Sequence, residues 1–112
     1  MNDSKVRLIR FWLLAVVGVF LAVMPARSQD TAGLFKAKCA VCHGTDGKGD
    51  TAVGKKLGVR DFASPEVQKE TDEELIEVTT KGRNKMPAYG GILKDSQIKD
   101  LVAYIRELAK AK

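Results

Sequence analysis

The strongest constraint on this chain is the segment CAVCH at residues 39–43, which places two cysteines three residues apart and a histidine directly after the second. The 112 residues contain no other cysteine and no other histidine. On a helix, Cys39 and Cys42 are i, i+3 neighbours, and Cys39 and His43 are i, i+4 neighbours. The sequence therefore predicts one short helical turn that presents all three side chains on the same face.

Three kinds of chemistry use such a cluster: a redox-active dithiol, a zinc site and covalent attachment of haem. A dithiol motif usually lies near a βαβ pattern, and no alternating run marks a strand here. A structural zinc site takes four ligands, mostly Cys or His, and only carboxylates remain for the fourth. The C-x-x-C-H spacing is typical of haem attachment, with two thioethers to the haem and the histidine below the iron. The pattern favours haem on Cys39 and Cys42 with His43 as an iron ligand, and the other two chemistries stay open.

The first 28 residues have the plan of a secretory signal peptide. The basic residues come first: Lys5, Arg7 and Arg10. An uncharged run of 14 residues follows at 11–24, and two small residues, Ala26 and Ser28, precede the expected cut. As a helix that run spans about 21 Å, which is short of a hydrocarbon core of ~30 Å. We predict a signal peptide at 1–28, a single domain at 29–112 and a periplasmic location, with a retained anchor as the alternative.

The net charge of the domain is small once the leader is set aside. The whole chain has 19 basic and 14 acidic residues, whereas residues 29–112 have 15 and 13. No arginine-rich stripe with interleaved aromatic residues is present either. The sequence therefore predicts no nucleic-acid partner, since that function needs a strongly basic surface.

Helical periodicity predicts the first and last helices of the domain. Residues 31–42 place Phe35 and Cys39 at helical spacing, and Asp95 or Ser96 is the expected N-cap of the last helix. The apolar face of the last helix comprises Ile98, Leu101, Val102, Ile105, Leu108 and Ala109. The same spacing on both helices predicts that each has one buried face.

Capping signals predict two further helices between them. Ser64 and Pro65 are the preferred N-cap and first helical residue. Thr71 and Glu74 have the spacing of a capping box, and Gly82 is placed to end that helix. Two loops are predicted from glycine and proline content: 44–58 and 83–93. The result is an all-α fold of three or four helices and long loops, in which a large bound cofactor gives short helices something to pack against.

Met86 is the candidate for the second iron ligand. It is the only methionine at 29–112, and it lies in a loop directly before Pro87. A methionine in an apolar helix usually fills the core, but core packing explains a loop methionine less well. Ligation by His and Met raises the reduction potential of the iron, and it leaves no open position for a substrate. From its position in the loop, we predict that Met86 is an axial ligand together with His43. Because this ligation leaves no open position on the iron, we predict a carrier rather than an enzyme.

Residues 31–110 resemble a small class I c-type cytochrome of the bacterial kind. The resemblance rests on Phe35, on CAVCHGTDGKGD from Cys39, on KMPAYGG from Lys85 and on LVAYIRELAK from Leu101. It implies an electron carrier with one covalent haem c. It also implies that the first and last helices cross near Thr31, and that Phe35 and Tyr104 pack in the core.

The chain departs from the family pattern in two places. Residues 44–63 contain no proline whose carbonyl could accept the second ring N–H of the histidine, so we expect another backbone carbonyl at 58–60. Residues 29–112 also lack the tryptophan that some relatives place near a haem propionate. The candidates for that role are Arg60, Arg83, Lys85 and Tyr89.

The resemblance implies redox partner proteins. Residues 79–94 hold four basic residues and no acid. We therefore expect the loop around Met86 to bind partners that have an acidic docking face. Two other functions stay open: a haem enzyme or gas-binding protein with an open iron, and a carrier subunit of a membrane oxidoreductase complex. Contact with a membrane is expected only through partners or through an uncleaved leader.

Overall fold

The computed structural model describes residues 3, 5–7 and 27–111. Most of the expected leader lies outside these residues, so the signal peptide and the boundary between 1–28 and 29–112 stay predictions. None of the described helices has the length and apolarity that a membrane span requires.

The described part of the chain is helical, which confirms the predicted all-α fold. The helices are α1 (Arg27–Lys38), α2 (Ala40–His43), α3 (Ala52–Leu57), α4 (Pro65–Lys69), α5 (Asp72–Lys81) and α6 (Asp95–Lys110). The sequence predicts three or four helices, and these six differ in length. Helices α1, α5 and α6 have ten or more residues, whereas the other three have four to six. The described residues form no strand, only an isolated antiparallel bridge between Arg83 and Met86.

The single helix expected at 31–42 is divided at Cys39. The first part ends at Lys38, and Cys39 is the N-cap of α2 with φ −117° and ψ −36°. The amide of Cys39 still donates to the carbonyl of Phe35 at 2.8 Å, so the two helices remain connected by a backbone hydrogen bond.

The prediction of a loop at 44–58 is wrong for its second half. Helix α3 begins after Thr51, whose hydroxyl accepts a hydrogen bond from the amide of Gly54 at 2.8 Å. It ends at Gly58, which has the left-handed φ of 69°. The glycine content suggested a loop, but a threonine cap and a glycine end are also the signals of a short helix.

The capping signals of the later helices are largely confirmed. Helix α4 begins at Pro65, and α5 has the full capping box of Thr71 and Glu74 and ends at Gly82. The expected cap of α6 is wrong by one residue, because Asp95 is already helical and Lys94 precedes it. There the side-chain oxygen of Gln97 accepts from the amide of Lys94 at 2.9 Å, which satisfies a backbone donor at the helix start.

The core lies where α6 packs against α1 and α5. Its buried apolar side chains are Phe35, Phe62, Val67, Leu75, Leu93, Ile98, Leu101 and Val102. Helices α1 and α6 are in contact, and the rings of Phe35 and Tyr104 lie 5.2 Å apart between centroids. Thr31 is buried, whereas a Cβ on Gly33 would meet nothing within 4 Å. Of these two positions, only Thr31 is covered by neighbouring parts of the protein.

Candidate functional site

The CAVCH turn is fixed by hydrogen bonds to its own backbone and to α3. The carbonyl of Cys39 accepts from the amide of His43 at 3.0 Å and from that of Cys42 at 3.2 Å. The hydroxyl of Thr51 donates to the carbonyls of Val41, at 2.8 Å, and Cys42, at 3.2 Å. These bonds hold the two cysteines and the histidine on one turn, as the spacing predicts.

Gly54 lets α3 approach the turn closely. An ideal Cβ on Gly54 would overlap the carbonyl oxygen of Cys42 and would lie 2.5 Å from that of Gly49. No side chain fits into this space. The glycine is therefore required by the close approach of α3 to the CAVCH turn.

All four predicted site residues line a single cavity of about 480 Å³. Cys39, Cys42 and His43 come from the turn, and Met86 comes from the loop between α5 and α6. The apolar residues of the wall include Phe35, Leu57, Val59, Phe62, Val67, Leu75, Val78, Leu93, Leu101, Val102 and Ile105. A volume of this size with mostly apolar walls is typical of a ligand or cofactor site.

The ring of His43 is stacked on the ring of Phe62, with centroids 4.7 Å apart and an angle of 23° between the planes. Gly47 leaves room for the Phe62 ring, because a Cβ at Gly47 would lie 2.5 Å from it. Burial lowers the pKa of His43, so the imidazole is neutral at neutral pH. A neutral imidazole has a free lone pair, which ligation of a metal requires.

The buried Nδ1 of His43 has no hydrogen-bond partner among the described residues. The carbonyl acceptor expected at 58–60 is therefore not found, although residues 58–60 do line the same cavity. The stacked Phe62 ring takes part in orienting the imidazole, and no sequence pattern predicts that contact.

Cys39 does not have the lowered pKa of a redox-active thiol. Both cysteines are free and half-buried. Burial, and to a lesser extent the charge of Cys42, raises the pKa of Cys39 to about 11, so this thiol is protonated at neutral pH. Redox-active cysteines instead have a lowered pKa. Within the described residues, no three Cys, His, Asp or Glu side chains are arranged to hold a metal ion, which also disfavours zinc.

The loop that carries Met86 is closed by backbone hydrogen bonds. Arg83 and Met86 pair in both directions, at 3.2 and 3.0 Å between amide nitrogen and carbonyl oxygen. Asn84 in this turn has a positive φ of 54°, and Gly82 has one of 76°. A Cβ on Gly82 would lie 2.7 Å from the carbonyl oxygen of Met86. Met86 is thus presented by a tight turn that follows directly from the end of α5.

The residues expected near a haem propionate also line the cavity. They are Arg60, Arg83, Lys85 and Tyr89. The hydroxyl of Tyr89 donates to the carbonyl of Lys38 at 3.1 Å, which joins the Met86 loop to the end of α1. Sequence reasoning missed Glu70, which also lines the cavity and binds both arginines. It stood in a generally acidic stretch, and nothing in the local pattern distinguished it from the solvated acids around it.

The residues present fit a haem. Two thiols on one turn, a neutral imidazole beside them, a thioether from a separate loop and a largely apolar wall face the same space. A thioether and an imidazole are the donor pair of high-potential haem proteins.

The comparisons with known proteins agree with this site. The family model described as "Cytochrome C oxidase, cbb3-type, subunit III" matches residues 24–105. The chain belongs to the c-type cytochromes. The structure is similar to that of the KustC0563 c-type cytochrome, with a TM-score of 0.64 and 35% sequence identity, over 70% of this chain and 95% of that one.

Relatives among known cytochromes include both small carriers and a larger subunit. This cytochrome is 36% identical to cytochrome c6 of Nostoc sp. over 88 residues, which cover 79% of this chain and 77% of the relative. It is 34% identical to cytochrome c6 of Rippkaea orientalis over 105 residues, or 88% and 92%. It is also 32% identical to the cbb3-type oxidase subunit CcoP of Azospirillum brasilense, of which it spans only 35%.

These findings confirm the prediction of a small class I c-type cytochrome, and with it a covalently bound haem c as the cofactor. They also support its function as a haem c electron carrier that works with redox partners.

Proposed function

We propose that this cytochrome is a periplasmic carrier of single electrons, with one haem c bound to Cys39 and Cys42 and with His43 and Met86 as axial ligands. The observation that carries the proposal is that one cavity is lined by all four residues, although Met86 comes from a separate loop. The raised pKa of Cys39 and the geometry of the turn weigh against a dithiol or zinc function.

Bound haem c supplies an iron that changes its charge by one electron. In this proposal His43 would hold the iron through a neutral ring nitrogen, and the stacked Phe62 orients its ring. Met86 would contribute a neutral thioether. A thioether stabilises the reduced iron better than an anionic ligand does, and so it raises the reduction potential. The apolar wall excludes water. If His43 and Met86 both hold the iron, no position on it would remain for a substrate, and so we propose a carrier and not an enzyme.

We also propose partners with an acidic docking face. The side chains lining the cavity include four cationic ones: Lys38, Arg60, Arg83 and Lys85. Glu70 is the only acidic residue among the described residues of that lining. A basic rim attracts an acidic face and speeds the encounter, and salt screens the attraction. Electron transfer rates that do not change with ionic strength would contradict this part of the proposal.

A second candidate is a carrier subunit of a membrane oxidoreductase complex. The match to the family described as an oxidase subunit, and the similarity to part of CcoP, favour it. The open-iron alternative has less support. It needs a polar group on the far side of the iron, and the nearby Arg60 and Arg83 are both bound to Glu70.

A spectrum of the protein, made in a host that attaches haem c, tests the main proposal. The pigment should stay with the polypeptide in acid acetone. The ferric form should show the weak red absorption band of methionine-ligated haem, and the ferrous form should not bind CO at neutral pH. Met86→Ala should remove the band and admit CO. Rapid CO binding by the unchanged protein would instead support an open iron.

A further inference from the structure

Glu70 lies between two arginines at the edge of the cavity. Its Oε1 accepts a hydrogen bond from Nη2 of Arg60 at 3.2 Å and from Nη2 of Arg83 at 3.1 Å. The Glu70 side chain is only 17% exposed, and those of Arg60 and Arg83 are 42% and 44% exposed. A partly buried carboxylate shared by two guanidinium groups holds its partners more firmly than a fully exposed ion pair does. We call these three residues the Glu70 clamp.

One of the two arginines lies in the loop that carries Met86, and the other follows the helix that packs on the CAVCH turn. Arg60 follows α3 directly, and α3 is the helix that packs on the CAVCH turn through Gly54. Arg83 is bound to Met86 by two backbone hydrogen bonds. One carboxylate therefore connects the His43 side of the cavity to the Met86 side.

Glu70 is itself fixed by contacts outside the cavity. It follows α4, and its amide donates to the carbonyl of Val67 at 3.1 Å. Its carbonyl accepts a hydrogen bond from the guanidinium of Arg106 on α6, which also donates to Asp72 at 3.0 Å. The carboxylate is thus placed by the packed helices and not by the loops that it joins.

The clamp has a defined charge. Burial acts to raise the pKa of Glu70, but the hydrogen bonds and charges of Arg83 and Arg60 outweigh it and lower the pKa below its usual value. The carboxylate is ionised at neutral pH, and the three side chains together carry one positive charge. Both arginines donate to Oε1 of this carboxylate. The buried Oε2 has no hydrogen-bond partner among the described residues.

We propose that Glu70 is a positioning residue for Met86. Through Arg83 it fixes the turn that presents Met86, and through Arg60 it sets the distance of that turn from the His43 side. Glu70 does not ligate the iron and acts only through the arginines. The inference rests on the proposed ligation by His43 and Met86.

The test compares Glu70→Gln with Glu77→Gln in the full-length, haem-loaded protein. Glu77 is a matched control on α5, because its carboxylate binds Lys81 at 2.8 Å, is 61% exposed and does not line the cavity. We expect Glu70→Gln to lose the red methionine band at a lower urea concentration than the unchanged protein. The substitution weakens hydrogen bonds to a charged group, so the Met86 loop is held less firmly and Met86 should leave the iron more often. The ferrous form should therefore bind CO at least about tenfold faster. Glu77→Gln should change neither measurement.

The reduction potential separates a positioning role from a purely electrostatic one. Loss of a negative charge near the iron, with Met86 still bound, favours the ferrous form and raises the potential. Loosening of Met86 removes the thioether and lowers it. We expect a lower potential for Glu70→Gln and a partial return for Glu70→Asp. A raised potential with an intact band would overturn the inference, as would a lower unfolding midpoint with unchanged band and CO binding.

Two further outcomes are separable. If Glu70→Gln does not fold, Arg83→Gln should reproduce the loss of the band, and Arg60→Gln should have a smaller effect; the reverse order would contradict the proposed route through Arg83. If the unchanged protein lacks the band and binds CO, the proposed ligation itself fails, and the positioning role fails with it. If the unchanged protein has the band and Glu70→Gln keeps it at the same urea concentration, only the role of Glu70 fails.

Discussion

The turn that carries His43 and the loop that carries Met86 face the same cavity, but the contacts that hold them differ in sequence range. The His43 turn is held mainly by neighbours: the carbonyl of Cys39, the amide of Gly49 at 2.7 Å from the His43 carbonyl, and the Thr51 hydroxyl. The Met86 loop depends more on distant partners, such as Lys38 through the Tyr89 hydroxyl and Glu70 through Arg83.

This difference explains why one side could be predicted more fully than the other. Local hydrogen bonds join residues that are close in sequence, so the spacing of those residues is enough to predict the shape of the turn. Contacts between distant segments depend on the whole fold. The His43 side should therefore keep its shape when the Met86 side is disturbed, and the following variants test that expectation.

The largest effect should come from leaving the cavity unfilled, because both sides face it. In Cys39→Ser/Cys42→Ser, purified without haem, a cavity of 480 Å³ would be left. Water would then reach its largely apolar wall, and a typical domain has only ~5–15 kcal/mol of stability in total. We expect the near-ultraviolet circular dichroism and the cooperative unfolding transition to be lost. A cooperative transition in this variant would show that the helices pack without the cofactor.

Phe62→Ala should have the next largest effect, on the His43 side. The ring stacks on His43, and its centroid lies 6.2 Å from that of Phe35 in the core. Loss of a buried phenylalanine costs about 3–5 kcal/mol of unfolding free energy. Urea unfolding of the haem-loaded protein measures this, with Val53→Ala as the control because Val53 is 41% exposed. Equal losses in the two variants would show that the stacked ring adds nothing special.

Gly54→Ala tests the close approach of α3 to the CAVCH turn. The added methyl group would overlap the carbonyl of Cys42, and overpacking of this kind costs about 1–3 kcal/mol of unfolding free energy. Gly33→Ala is the matched control, because a Cβ there meets nothing within 4 Å and alanine favours a helix by up to about 1 kcal/mol. Thermal unfolding should therefore move in opposite directions. A stable Gly54→Ala would mean that the turn can move away from α3.

Tyr89→Phe should affect the Met86 side alone. It removes the hydrogen bond to the Lys38 carbonyl, which is worth about 1 kcal/mol. We expect the red methionine band to disappear at a lower urea concentration. Tyr104→Phe, which keeps the ring contact with Phe35, serves as the control. An unchanged band in Tyr89→Phe would mean that this bond does not hold the loop.

The smallest effect concerns pH and Glu70. Burial acts to raise the pKa of its carboxyl group, but Arg83 and Arg60 lower it overall in the folded protein. A lowered folded-state pKa gives stability that is fully present above the unfolded pKa, near 4.5, and that is lost as the pH falls through the folded pKa. Unfolding free energies measured between about pH 7 and about pH 3 should therefore converge for the unchanged protein and Glu70→Gln at the acid end. A constant difference between them would contradict this.

Much of the fold followed from local signals. The capping box of Thr71 and Glu74, the glycine end of α5 and the apolar face of α6 each depend on a few neighbouring residues, and each was predicted. Helix α3 was missed because glycine counts outweighed the cap at Thr51. The cap of α6 was misplaced by one residue because the Gln97 side chain takes part in it.

The site was predicted less evenly. The spacing of Cys39, Cys42 and His43 fixes their common face, and the structure has them on one turn. That Met86 shares their cavity followed from its loop and from the family resemblance, and not from geometry. The stack of Phe62 on His43 and the binding of both arginines by Glu70 could not be predicted, because each depends on how separate segments meet.

The pairing of α1 with α6 has a consequence for the order in which the protein folds. The ring of Phe35 packs on that of Tyr104, far along the sequence from it. The core therefore cannot close before α6 has reached α1, since contacts between distant segments form late. Until α6 docks, the cavity beside the CAVCH turn lacks the part of its wall that Leu101, Val102 and Ile105 supply.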